Sequence, residues 1–212
     1  FCLYNKVAVA AAHARSLGAR RVAIVDYDVH HGNGTQHIFE NEPDVLYVSV
    51  HQFPYYPGTG AADEIGYGAG AGRTVNVPLE VGATDDDYRL VFEQVVLPVL
   101  SQFEPDIVLV SAGFDAHERD PLGGGRLTTQ AFAAMTAALR GTAERCCDGR
   151  LVAVTEGGYD LRALGDCLRV VIDVLADEAT PPVNWPQAPV ASSRGRAAAT
   201  LTKAALTQYW KF

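Results

Sequence analysis

The hydrophobic pattern along the chain alternates between two periods. Short apolar runs rich in β-branched residues predict strands buried on both faces, and segments with apolar residues at helical spacing predict helices. The predicted strands are residues 21–26, 45–50, 75–79, 106–111 and 151–155, and the predicted helices are residues 5–17, 35–40, 84–103, 128–146, 160–176 and 197–212. This βαβα alternation predicts an α/β fold with a mainly parallel sheet between two layers of helices.

Glycine and proline mark the connections between these elements. Residues 52–73 are rich in glycine and contain Pro57-Gly58-Thr59-Gly60, which predicts a long ordered loop, and loops of this length are usually functional. Residues 180–189 are rich in proline and predict a connector. We therefore divide the chain into residues 1–178, one α/β domain, and residues 179–212, a proline-rich connector and a terminal helix that packs on or beside the domain.

Polar side chains cluster where the first predicted strand ends. Asp26, Asp28 and His30 alternate directly after the apolar run, so in an extended conformation they project to one side. Two carboxylates at the edge of an apolar sheet repel each other unless a cation or hydrogen-bond donors compensate their charge. This trio therefore predicts a metal site.

Other strands also end in polar residues. Ser49 and His51 end the second strand, Asp115 follows the strand at 106–111, and Tyr159 follows the last strand. Ligands of open parallel sheets bind outside the carboxyl ends of the strands.

A metal site assembled at this edge would draw its ligands from two strand ends. Asp28, His30 and Asp115 would form a three-ligand set with an open position, as expected of a catalytic zinc. Two carboxylates make the set hard enough that Fe²⁺ or Co²⁺ could compete for it.

Net charge, cysteine spacing and the length of apolar runs limit the partners and cellular settings that we expect for this protein. The chain of 212 residues has 17 basic and 25 acidic residues, and the resulting charge of −8 argues against direct nucleic-acid binding and is compatible with cationic substrates. The four cysteines form no C-x-x-C pair, which favours a reducing, cytoplasmic setting. No apolar run approaches the roughly 18 residues of a membrane span.

Four motifs occur in a fixed order: D-Y-D-V-H-H-G-N-G-T, P-G-T-G, S-A-G-F-D-A-H and E-G-G-Y. Together they resemble the zinc-dependent histone deacetylase family, which includes bacterial histone-deacetylase-like amidohydrolases and acetylpolyamine amidohydrolases. The resemblance runs from Phe1 to about Leu175. It implies a three-layer αβα fold of the arginase and deacetylase type that lacks its N-terminal part, with residues 1–178 as the C-terminal portion of a deacetylase domain.

The implied activity is zinc-dependent hydrolysis of an N-acetyl amide, either acetyl-lysine in proteins or an acetylated polyamine, to free amine and acetate. The resemblance implies the zinc ligands Asp28, His30 and Asp115 and a transition-state role for Tyr159. It also implies a structural potassium ion, or a supporting shell around the zinc site, at Asp26, Ser49 and Val50. The substrate-binding residues that it implies are Phe1, Tyr56, Leu122, Gly157 and Gly158.

Two departures from the family pattern affect the expected activity. The family's tandem histidine pair, which supplies general acid and base, and the glycine before the tunnel aromatic correspond to positions upstream of Phe1, and His30-His31 is a different pair. We therefore expect residues 1–212 alone to deacetylate very slowly. Asn33 stands where many relatives carry an aspartate, a variation that resembles the class II and bacterial branch.

Two other functional classes stay open at this point. A binuclear manganese ureohydrolase carries a DAHxD run, but here Asp115-Ala116-His117 reaches its next aspartate, Asp120, one residue out of register. A non-catalytic acyl-lysine binder is compatible with the absence of the histidine pair. We expect His31, His51 and His117 to be satisfied loop or wall histidines, and the sequence leaves the oligomeric state open.

Overall fold

A computed structural model describes residues 4–176, 184–186 and 192–212. Its strands are β1 (Val22–Asp26), β2 (Val45–Gln52), β3 (Thr74–Leu79), β4 (Ile107–Ala112) and β5 (Leu151–Thr155). All four strand pairings are parallel, and the order across the sheet is β3-β2-β1-β4-β5. The predicted α/β fold with a parallel sheet is confirmed.

Seven α-helices connect and cover these strands in the described residues. They are α1 (Lys6–Ser16), α2 (Asn33–Phe39), α3 (Asp85–Val91), α4 (Leu97–Phe103), α5 (Thr129–Cys147), α6 (Leu161–Leu175) and α7 (Ser193–Leu206). In the described part of the chain no helix is long and apolar enough to cross a bilayer.

Alternate residues of β1 face two different hydrophobic cores. Ala23 and Val25 belong to the larger core, whereas Val22 and Ile24 belong to a smaller core that also contains residues of α1. Because successive side chains of a strand point to opposite faces, this division shows apolar packing on both sides of the sheet. The layered arrangement explains why the strand runs are continuously apolar.

The predicted helix at residues 84–103 is interrupted. Helix α3 is followed by a π-helical turn at Phe92–Val96 and then by α4, whose second residue is Pro98. Proline has no backbone N–H and therefore cannot donate the regular helical hydrogen bond. The π turn lies directly before the helix that contains this proline.

Helix α7 begins earlier than predicted and packs on the sheet domain. The backbone N–H of Gly195 donates to Asp87 Oδ1 (2.8 Å), and Thr202 Oγ1 donates to the carbonyl of Asn76 in β3 (2.7 Å). After the helix, Trp210 is buried and its indole N–H donates to the carbonyl of Gly72 (2.8 Å). The C-terminal segment is thus packed on the domain, while most of the predicted connector lies outside the described residues.

The strand register brings the polar positions to one edge. At the carboxyl end of β1, Asp26 pairs with Ser49 of β2 and with Ser111 of β4. The loops that follow β1, β4 and β5 therefore leave the sheet side by side, although they lie far apart in sequence. This edge carries the candidate site.

Candidate active site

Three side chains from two neighbouring loops meet at the carboxyl edge of the sheet. Asp28 and His30 follow β1, Asp115 follows β4, and one ligand atom of each lies within 4.8 Å of the others. His30 Nδ1 is 3.1 Å from Asp28 Oδ1 and 3.0 Å from Asp115 Oδ2. The structure thus brings together the three residues that the sequence proposed as zinc ligands.

Backbone N–H groups hold both carboxylates in place. Asp115 Oδ1 accepts the N–H of Val29 (2.8 Å), while its other oxygen faces His30. Asp28 accepts the N–H of His30 (2.9 Å) through Oδ1 and the N–H of Gly157 (3.0 Å) through Oδ2. These contacts orient the ligand atoms before any ion is bound.

The electrostatics of the trio favour a positive charge between the carboxylates. Asp115 is fully buried, and burial raises its pKa to about 6. Burial raises and hydrogen bonds from His30 lower the pKa of Asp28, and the net shift is downward. Hydrogen bonds to Asp115 and Asp28 raise the pKa of His30 to about 10. Two carboxylates thus face one imidazole nitrogen, an arrangement in which a bound cation would compensate their negative charge.

The donor set fits zinc. Zinc accepts imidazole nitrogen and carboxylate oxygen at about 2.0–2.2 Å, so two ligand atoms of a tetrahedral site lie about 3.4 Å apart. His30 Nδ1 already lies 3.0–3.1 Å from one oxygen of each carboxylate. His30 Nδ1 would have to move only about 0.3–0.4 Å away from each oxygen to reach the separation of two zinc ligands.

Glycines form the wall beside this trio. A methyl group at Gly157 would lie 2.7 Å from Asp28 Oδ2 and closer still to Asp115 Oδ2, and one at Gly113 would overlap the Asp28 side chain. Gly158 has φ of +143°, a backbone conformation that favours glycine. Side chains are therefore excluded directly beside the two carboxylates.

Tyr159 follows these glycines and lies just before α6. Its ring is 40% exposed and lines a cleft of about 440 Å³ together with Asp28, His30 and Tyr56. Its backbone N–H donates to Asp120 Oδ2 (2.7 Å), and the next residue, Asp160, caps α6. The structure therefore places the predicted tyrosine in the same cleft as two of the three predicted metal ligands, Asp28 and His30.

Tyr56 lines the cleft, and the neighbouring Tyr55 lies against His30. Tyr56 is 58% exposed and meets the His30 ring edge-on at 6.3 Å, whereas the neighbouring Tyr55 stacks on that ring at 5.4 Å. Leu122 is exposed and is not part of the cleft lining; its carbonyl accepts a hydrogen bond from the Tyr55 hydroxyl. Phe1, the other predicted tunnel residue, lies outside the described residues.

The residues proposed for potassium lie deeper, at the ends of β1 and β2. Asp26, Ser49 and Val50 are buried, and Asp26 lies opposite Ser49 in the sheet. Tyr47 donates its hydroxyl to Asp26 Oδ2 (3.0 Å), and burial, followed by the nearby Asp28 charge, raises the pKa of Asp26. Sequence analysis did not identify Tyr47. The one signal for it is the alternation of side chains along β2, which places Tyr47 on the same face as Ser49.

The remaining buried histidines have other partners. His31 bonds Thr59 and Gln36, and His51 bonds Ser49 and the carbonyl of Gly60. These contacts tie the start of α2 and the end of β2 to the P-G-T-G loop.

The third histidine lies outside the trio as well. His117 Nε2 lies 3.2 Å from Thr129 Oγ1, and its Nδ1 accepts the N–H of Arg119. Both ring nitrogens of the histidine that a binuclear ureohydrolase would use for a second metal therefore have partners outside the trio.

Asp120 is a second residue that sequence reasoning missed. It is buried, and its carboxylate accepts the N–H groups of Leu122, Gly123 and Tyr159. An aspartate before Pro121 is a turn signal and could have indicated the first two bonds. The bond to Tyr159 spans 39 residues and has no local signal.

Comparison with known proteins shows the family to which the chain belongs. The family model described as "Histone deacetylase domain" matches residues 1–175. The chain is 49% identical over 182 residues to "Histone deacetylase 15" of Arabidopsis thaliana, covering 84% of this chain and 32% of that protein. It is 39% identical to "Polyamine deacetylase HDAC10" of Homo sapiens, covering 100% of this chain and 32% of that protein.

A solved structure shares the fold as well. The crystal structure of the HDA15 HD domain matches 99% of this chain and 56% of that chain with a TM-score of 0.88 and 44% sequence identity. The chain spans between 32% and 45% of the length of four curated relatives that it matches.

Proposed function

Because the chain belongs to the histone deacetylase family, we propose that it carries the metal-binding part of a site that hydrolyses N-acetyl amides. The observation that carries this proposal is the meeting of Asp28, His30 and Asp115 at one point: Asp28 and His30 line the same cleft as Tyr159, and Asp115 is fully buried. We propose zinc as the ion, with Fe²⁺ or Co²⁺ as possible replacements. A zinc ion bound there would lower the pKa of water and polarise the substrate carbonyl.

The chain's own residues have separable tasks in this proposal. Asp28 and Asp115, fixed by backbone N–H groups, hold the ion together with His30. The Tyr159 hydroxyl donates a hydrogen bond to the substrate oxygen, most strongly when negative charge develops there. Because Gly157 has no side chain, the approach between the ligands and Tyr159 stays open.

The mouth of the cleft suits an alkyl stem. The exposed ring of Tyr56 stands beside His30, and Tyr55 covers the imidazole from another side. Aromatic side chains exclude water around a methylene chain. The acetamide at the end of that chain would then contact the polar groups of the metal site. We propose acetylated lysine or an acetylated polyamine as substrate, in line with the names of two relatives, a histone deacetylase and a polyamine deacetylase, and with the net charge of −8.

Three further assignments belong to the same proposal. Asp26, Ser49 and Val50 would hold a structural potassium ion or support the zinc site from behind. Residues 1–178 would be the C-terminal portion of the deacetylase domain, with residues 179–212 as connector and terminal helix. The cytoplasmic location and the lack of nucleic-acid and membrane partners stay predictions.

The experiment measures acetate release by the full-length natural protein. The protein is freed of metal with a chelator, reloaded with Zn²⁺, Fe²⁺ or Co²⁺, and assayed on an acetyl-lysine peptide and on an acetylated diamine. We expect activity that is lost with the metal and restored by at least one of these ions. Saturable binding of the acetyl-lysine peptide without acetate release, with any of these ions, would instead establish the non-catalytic binder.

A further inference from the structure

Asp120 joins two segments that meet only in the folded chain. Its Oδ1 accepts the N–H groups of Leu122 (2.9 Å) and Gly123 (3.1 Å), and its Oδ2 accepts the N–H of Tyr159 (2.7 Å). The residue is 8% exposed. We call residues 120–125 the rim loop, because the carbonyl of Leu122 is bonded to Tyr55, which stacks on His30 of the cleft.

The rim loop is tied to the metal site on its other side. The Tyr55 hydroxyl donates to the carbonyl of Leu122, and the Tyr55 ring stacks on His30. The backbone of Gly123 packs on the carbonyl oxygen of Asp115 so closely that a methyl group would not fit. Both backbone polar groups of Leu122 are therefore held, the N–H by Asp120 and the carbonyl by Tyr55.

We propose that Asp120 is a positioning residue that sets the location of Tyr159 relative to the rim loop and the metal ligands. This inference rests on the proposed function. Gly158 adopts φ of +143°, a conformation that other residues rarely adopt, and the N–H of the next residue, Tyr159, is held by Asp120. Asp160 anchors the next residue by capping α6, and Asp120 supplies the anchor at Tyr159 itself.

Ion pairs of Arg119, the residue before Asp120, also reach the segment around Tyr159. Arg119 lies 3.8 Å from Asp160 and 3.3 Å from Asp166, but all three side chains are at least partly exposed. Exposed ion pairs contribute little, because water screens them and the side chains lose entropy. Asp120, in contrast, is buried and accepts three backbone N–H groups, and a buried N–H without an acceptor is costly.

Asp120→Asn tests this role with a minimal change in shape. A carboxamide has one acceptor oxygen, and its NH₂ group can only donate. In the variant the NH₂ group therefore faces a backbone N–H donor either at Tyr159 or at Leu122 and Gly123, and that hydrogen bond is lost. We expect the full-length variant to keep its metal and to lose kcat by up to about 10²-fold, the cost of misplacing a catalytic group by roughly 1 Å. Tyr55→Phe, which removes only a hydroxyl, should raise KM more than it lowers kcat.

The decisive measurement is a double-variant cycle with Tyr159→Phe. If Asp120 acts through the phenol, Asp120→Asn should lower kcat in the wild-type background and have little further effect in the Tyr159→Phe background. Deuterium exchange of the peptide containing Tyr159 should rise in Asp120→Asn, whether or not substrate is present. Glu118→Gln is the matched control, since it removes the same charge from an exposed side chain two residues away.

The outcomes separate the two levels of the argument. Wild-type protein without acetate release would overturn the proposed function and this assignment with it. Active wild type whose Asp120→Asn variant keeps kcat, or loses it equally in both backgrounds, would overturn the assignment of Asp120 alone. An effect of the same size in Glu118→Gln would also overturn it.

Discussion

Gly157 offers the sharpest test of the metal site, because its missing side chain lies against two proposed ligands. A methyl group there would lie 2.7 Å from Asp28 Oδ2, which would have to retreat by at least about 0.7 Å to reach the 3.4 Å of ordinary contacts. The overlap with Asp115 Oδ2 is larger. Gly157→Ala should therefore act on the ligand atoms themselves.

Rotation of the two carboxylates removes this steric overlap at a lower energy than movement of the backbone. Metal sites hold their ligand distances within about ±0.2 Å, so a shift of this size is large for the ion. Loss of groups that orient ligands typically weakens metal binding by about 10–100-fold, and we expect a decrease in zinc affinity in this range. The free energy of unfolding of the metal-free protein should fall by about 1–3 kcal/mol at most, the usual cost of overpacking.

The assay is competition for Zn²⁺ with a chromogenic chelator, combined with thermal unfolding of the metal-free protein. Gly165→Ala is the control, because Gly165 lies in α6 and a methyl group there meets nothing within 4 Å. It should leave zinc affinity unchanged and raise stability slightly, since alanine is favoured over glycine in helices. A folded Gly157→Ala protein with wild-type zinc affinity would show that Asp28 and Asp115 do not bind the metal together.

Three more expectations concern the full-length protein. Asp115→Ala should abolish stoichiometric zinc, measured by elemental analysis, because the site loses both a ligand and a compensating charge. Tyr159→Phe should keep its zinc and fold but lose kcat by on the order of 10²–10³-fold, as oxyanion donors usually do, in steady-state assays of an acetylated substrate. Gly195→Ala should lower the thermal midpoint, because a methyl group would lie 2.6 Å from the carbonyl oxygen of Asp87 and separate α7 from α3; the cost of such overpacking is about 1–3 kcal/mol.

Each of these expectations has a contrary result. Unchanged zinc in Asp115→Ala would remove that residue from the ligand set. A Tyr159→Phe enzyme with kcat within a few-fold of wild type would reduce the tyrosine to a packing role. A Gly195→Ala protein as stable as Gly165→Ala would mean that the contact between α7 and α3 contributes little to the fold.

The strands and most helices followed from local information. Residues 151–155 were predicted with the bounds that the structure shows for β5, because a β-branched run followed by glycines is a signal within the segment itself. The helix at 84–103 was predicted as continuous, since helical periodicity persists across Pro98, and the structure replaces one turn with a π turn. The family was also recognised correctly from four short motifs.

The sequence by itself placed Asp28, His30 and Asp115 at strand ends, and a parallel sheet brings such ends to one edge. It could not determine which atoms meet: His30 and Asp115 are 85 residues apart, and Gly157 donates to Asp28 across 129 residues. Contacts of this kind depend on strand register and loop packing, which no local propensity encodes. The tertiary structure alone therefore decided that Gly157 borders both carboxylates and that Asp120 anchors Tyr159.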